Sequence, residues 1–142
     1  MVGTAMKIFL DTNVLIYWVD AGPRADQVEQ WLAEDAVISV QVLNEFANLL
    51  RKKRNLPLAA IAELVGTLLH TCEVCDLTVR VHRAALALAA RYKLGIYDAN
   101  ILAAAAEMGC AAVFSEDMQN GMSIKIPDSL GGGALSIKNP FL

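Results

Sequence analysis

The chain has 142 residues, a formal net charge of −3 and a pI near 5.3. That length suits one domain, 1–142, with a full core, and the acidic balance argues against a nucleic-acid binder that works through bulk positive charge. Hydrophobic residues make up 56% and the mean hydropathy is +0.42, rich for a monomer of this size, so a partner or a second copy is expected to cover some apolar surface.

Met1–Ala5 reads as a disordered leader, with Met6 an equally good start. No basic segment leads into an apolar one there, and charges interrupt every apolar run well short of the ~20 residues of a membrane span, so the expectation is a cytoplasmic protein. Residues 6–10 predict a strand that ends abruptly on Asp11, with a helix behind it over about 12–20, closed by Ala21-Gly22-Pro23. A helix over 24–34 carries Val28, Trp31 and Leu32 on one face, and Ala36–Ser39 is a second strand. The helix over about 41–54 has Val42, Phe46, Leu49 and Leu50 as its core stripe and ends in Arg51-Lys52-Lys53-Arg54, a run expected to be solvated and favoured by the helix dipole. Glu45 lies on the edge of that stripe, where a carboxylate is held near the core and needs a partner.

Pro57 opens a helix of about 57–70, and residues 73–77 are a third strand. Cys72 and Cys75 form a CxxC on that strand; residues three apart on a strand face opposite ways, so the pair reads as small buried hydrophobes and, with Cys110, as no disulfide framework. An Ala/Leu-rich helix over 79–93 stops at Gly95 in a helix-ending place. The next, about 97–108, starts at Asp98, with Ile101, Leu102 and Ala105 following at i+3, i+4 and i+7, so Asp98 is expected on the buried side. Residues 111–115 are a fourth strand running into Glu116-Asp117. The tail holds a short segment at Ile124–Ile126, a Gly131-Gly132-Gly133 loop and a last strand near Leu135–Ile137. Strands alternating with helices predict a three-layer α/β/α sandwich on a mainly parallel sheet.

In that fold Asp11 and Asp117 follow strands, while Glu45 and Asp98 lie in early turns of helices over the same sheet edge. Three of them have a plain alternative: Asp11 and Asp98 as helix-start residues, Asp117 as a turn residue. Glu45 is the hardest to dismiss, since mid-helix it gains no capping benefit. Together, acids from four elements offer the hard oxygens that Mg²⁺ or Mn²⁺ takes, and like charges in one cleft call for a cation. Other chemistries lack their residues: no GxGxxG follows a strand, no GxxxxGK[ST] or GxSxG occurs, and His70 and His82 have no ligand-spaced partner. Trp18 and Trp31 fall at helical apolar positions and read as core or interface.

Asp11-Thr12-Asn13-Val14-Leu15-Ile16, then Asn44-Glu45-Phe46, then Tyr97-Asp98-Ala99 before an Ala-rich helix, then Ser115-Glu116-Asp117 after a strand, resembles the PIN-domain ribonucleases, and among them the VapC toxins of type II toxin–antitoxin pairs. The likeness covers about residues 6–120. It implies an α/β/α sandwich, an endoribonuclease dependent on Mg²⁺ or Mn²⁺, a homodimer, and neutralisation by a small antitoxin lying across the apolar helices and the acidic cleft. Asp11, Glu45, Asp98 and Asp117 match the family's acids, Ser115 its Ser/Thr two before the last acid, and Asn13 its polar residue two after the first. The implied roles are metal ligation by Asp11, Asp98 and Glu45, a second metal or water orientation for Asp117, and water positioning for Ser115. Glu116 is an extra acid. Two rivals are carried: a dehalogenase-like phosphatase, which wants an acid where Asn13 stands, and a non-catalytic dimeric module whose acids only cap helices.

Overall fold

The computed structural model describes residues 6–142, so the expected leader lies outside the described residues. β1 (Ile8–Leu10) runs through the middle of the sheet, parallel to β2 (Ala36–Ser39) on one side and β4 (Ala112–Phe114) on the other, with Phe9 opposite both Val37 and Val113. Covered on both faces, these strands are short apolar runs without alternation, and Phe9, Leu10, Val37, Ile38 and Val113 are fully buried. β3 (Glu73–Cys75) adds to β2; beyond β4 come β6 (Ala134–Lys138), parallel, and β5 (Ser123–Lys125), antiparallel, in the order β3-β2-β1-β4-β6-β5.

Six helices flank the sheet and complete the α/β sandwich: α1 (Thr12–Leu15), α2 (Pro23–Leu32), α3 (Val40–Lys53), α4 (Leu58–Thr71), α5 (Val79–Tyr92) and α6 (Ile96–Glu107). α6 packs on β2, β3 and β4 and pairs with α5, while α3 packs on α1, α4 and β2. Every residue from Ala99 to Ala106 is buried. A stretch apolar but for Asn100 belongs inside, and its alanines let it lie close to the sheet. None of the helices in the described residues is long and apolar enough to cross a membrane.

Four local expectations need correction. The helix expected over 12–20 is α1 followed by a 3-10 turn at Ile16–Val19, where the Asp20 amide bonds Tyr17 at i−3. The third strand stops at Cys75, and Cys72 is the C-cap of α4 rather than a strand residue. Both thiols and Cys110 are buried, and burial pushes Cys72 up to about 11 and Cys110 to about 12, which leaves them unreactive. Gly95 does not end α5: Lys93 takes the left-handed C-cap at φ 55, its own amide bonds the Ala89 carbonyl, and Gly95 starts α6 with φ −63. The tail segments are β5 and β6, joined by the expected glycine loop, in which Gly131, Gly132 and Gly133 all have positive φ.

Candidate active site

The chain leaves β1 toward β2 on one side and reaches β4 on the other, so the carboxyl ends of β1 and β4 flank the sheet's switch point, the crevice where open α/β sheets bind ligands. Asp11 follows β1 directly. Its amide extends the ladder to the Phe114 carbonyl (3.0 Å), and its Oδ1 accepts the Thr12 amide (2.7 Å) as the N-cap of α1. The capping role foreseen for it is therefore real, and it leaves Oδ2 pointing into the crevice. There Oδ2 accepts the Ser115 hydroxyl (2.8 Å) and Asn13 Nδ2 (3.3 Å).

Ser115 and Asn13 lock the turn after β4 to the turn after β1. Ser115 is fully buried; its Oγ accepts the amides of Asp117 and Met118 (both 3.3 Å) while its proton goes to Asp11. Asn13 Oδ1 accepts the Glu116 amide (2.9 Å). Ser115 thus holds Asp11 and the turn together, with its one proton engaged by the carboxylate.

Glu45, half-buried in the second turn of α3, accepts from Gln41 Nε2 (3.0 Å) and from Thr12 Oγ1 (3.2 Å), which ties it to the residue after Asp11. Gln41 also donates to the Tyr97 carbonyl (3.0 Å), fastening α3 to the start of α6 and so to Asp98. Thr12 and Gln41 were missed from the sequence. Gln41 had a signal, since it precedes Glu45 by four on one helix; Thr12 offered none. Asp98 corrects another expectation: it is exposed, in the first turn of α6, while Ile101, Leu102 and Ala105 behind it are buried. Asp117 is exposed on its turn.

The electrostatics connect what hydrogen bonds do not. Asp11 is raised to about 6, first by burial, then by the charges of Glu45 and Asp98, against the pull of the Ser115 and Thr12 bonds. Asp98 is raised by lost hydration and by Asp117. The four acids therefore share one electrostatic neighbourhood. Among the described residues, however, no three His, Cys, Asp or Glu side chains close on one point. The donor set is all hard oxygen, suited to a cation that keeps part of its water shell. A groove of about 500 Å³ opens beside Glu45, between Asn44, Asn48, Leu77 and Tyr97. A hollow of about 380 Å³ lies beside Glu116 and Asp117, walled by Asn13, Tyr17, Lys53 and Arg54. Of the basic run, Arg54 is engaged by Asp20 (2.8 and 3.2 Å), and all four residues are exposed, as expected of a helix end.

Solved structures share this arrangement of strands and helices. The sarcin-ricin loop cleaving toxin VapC20 of Mycobacterium tuberculosis matches with a TM-score of 0.61 at 24% identity, over 78% of this chain and 91% of that one. A toxin–antitoxin complex from Klebsiella pneumoniae matches at 0.62 and 22%, over 78% and 86%. DNA-bound VapBC from Salmonella typhimurium matches at 0.63 and 20%, over 94% and 98%. No curated protein sequence matches the chain. The PIN domain family model matches residues 8–119, the span that carries all four acids, and the chain belongs to the PIN domain family.

Proposed function

We propose that the protein is an endoribonuclease dependent on Mg²⁺ or Mn²⁺, the toxin of a toxin–antitoxin pair, acting in the cytoplasm as a single domain, as a homodimer and under a cognate antitoxin. The observation that carries the reading is Asp11: a carboxyl buried at the switch point, pinned by Ser115, and raised to about 6 in part by two neighbouring acids. Such a site is uncomfortable without a cation. Family membership and the likeness of the fold to toxins and toxin–antitoxin complexes support the rest.

In this reading Asp11, Glu45 and Asp98 hold the ion, directly or through its waters, with Asp117 as a fourth carboxylate at the mouth. When bound, the ion supplies water activation and charge stabilisation on the phosphoryl oxygens. The chain's own residues do the positioning. Ser115 and Asn13 keep Oδ2 of Asp11 facing the crevice, Thr12 and Gln41 hold both oxygens of Glu45, and Asp117 orients the attacking water for displacement of the leaving ribose oxygen. Lys53, on the far wall of the hollow beside Asp117, is placed to meet an RNA phosphate. Asn13 donates an amide to Asp11, where the phosphatase rival wants an acid.

The test is cleavage of a mixed fluorogenic RNA with and without Mg²⁺ or Mn²⁺, beside Asp11→Asn and Asp98→Asn. Cleavage should need the ion and fall by at least about 10²-fold in either variant, with circular dichroism unchanged. An active Asp98→Asn protein would remove Asp98 from the site.

A further inference from the structure

Glu116 sits between Ser115 and Asp117, and a free carboxylate there would join a crowd of acids that already repel one another. It is not free. Its Oε2 lies 3.2 Å from Nη1 of Arg24, in the first turn of α2, and its backbone amide is fixed by Asn13. Arg24 is held from other sides as well. Nη1 donates to the Tyr17 hydroxyl (2.7 Å), and the guanidinium carbon lies 4.9 Å from the centre of the Tyr17 ring and 4.5 Å from that of Phe141. Phe141 meets Tyr17 edge-on at 5.2 Å and leans on Trp31 at 5.8 Å, and Trp31 meets Phe114, the residue before Ser115, at 5.0 Å. An ion pair with 45% and 24% of its side chains exposed adds little stability. A planar cation fixed between two rings and a carboxylate does set direction, and lysine lacks the fork to do so.

We infer that Arg24 is a positioning residue: clamped by Tyr17 and Phe141, it engages the Glu116 carboxylate, so that of the two acids lining the hollow after β4, Asp117 is the one left to a cation. The inference rests on the metal-dependent reading above. Without Arg24, Glu116 becomes a further carboxylate at the mouth and a nearby positive charge disappears, so a divalent cation binds more tightly but in a different place.

The experiment is calorimetric titration of the full chain with MnCl₂, with thermal melts of the same samples, for wild type, Glu116→Gln, Arg24→Gln and the double variant. Glu116→Gln should match wild type within about twofold, Arg24→Gln should tighten Mn²⁺ binding by roughly fivefold or more, and the double variant should return to the wild-type value. Tightening that persists in the double variant would mean that Arg24 acts by bulk charge and would overturn the inference. So would an Arg24→Gln protein with a lower melting temperature and unchanged Mn²⁺ affinity. Should Arg24→Gln fail to fold, Phe141→Ala, which loosens the clamp, must show the same tightening to a smaller degree and lose it when Glu116→Gln is added; no shift there overturns the inference equally. A wild-type protein that binds no Mn²⁺ overturns the metal-dependent reading and this inference with it, whereas a wild type that binds, beside an unchanged Arg24→Gln, overturns this inference alone.

Discussion

Oδ1 of Asp11 caps α1 and Oδ2 accepts the Ser115 hydroxyl, and although both bonds favour the ionised carboxylate, burial and the charges of Glu45 and Asp98 still raise it to about 6 from 3.8. A raised acid binds its proton more tightly folded than unfolded, so between these two values the metal-free fold loses stability as pH rises, by up to about 3 kcal/mol in all. Asp11→Asn keeps a capable N-cap and removes that charge. The metal-free variant should therefore melt above wild type at pH 7, and the gap should close as pH falls toward 4. Cation affinity of the wild type should drop as pH is lowered through 6, because the proton competes for Oδ2. A variant that melts below wild type at pH 7 would show that Asp11 is a structural cap and little more. The acids themselves were legible because Asp11, Asp98 and Asp117 follow a strand or open a helix and Glu45 edges an apolar stripe, features that the apolar pattern marks. Thr12 and Arg24 were not, since a hydrogen bond between elements leaves no trace in local periodicity, whereas Gln41 left the i, i+4 spacing to Glu45 within α3.

At the scale of elements, α6 was the plainest to read and α5 the most misleading at its end. Eight consecutive buried residues in α6, all apolar but Asn100, match its Ala-rich run, and its Gly95 start puts Asp98 in the first turn. For α5 the glycine two residues on looked like the terminator, yet Lys93 bears the left-handed turn at φ 55. A lysine is strained there, by roughly 1 kcal/mol, and the α5–α6 packing outweighs it. Lys93→Gly relieves that strain and should raise stability by about 0.5–1 kcal/mol in chemical denaturation, with Mn²⁺ binding unchanged. A destabilised Lys93→Gly would mean that the side chain makes a contact worth more than the strain.

Across the whole molecule, the parallel α/β class and five of the strands were legible in the sequence, whereas the order β3-β2-β1-β4-β6-β5 was not. Which strands become neighbours depends on how helices pack over both faces, and no stretch of sequence encodes that by itself. The apolar excess does find a location. Leu77, Val79, Ile96 and Tyr97, at 50%, 68%, 38% and 71% exposure, ring the side of the cleft between β3 and the starts of α5 and α6. If the proposed homodimer uses that face, Val79→Asp should yield a monomer in light scattering while leaving the melting transition cooperative. A dimer that survives the substitution would move the interface elsewhere, with Leu58 and Leu69 on α4 as the next place to test.

The position of β6 has a consequence for how such a protein comes into being. β4, the strand that delivers Ser115 and Asp117, has β1 on one side and β6 on the other, and the Ser115 amide is itself bonded to the Lys138 carbonyl (3.0 Å). During synthesis the segments bearing all four acids emerge before residues 134–138 do. Until those residues leave the ribosome, the turn that grips Asp11 lacks one of its two flanking strands. The proposed active site thus stays unfinished for as long as the chain is still being made.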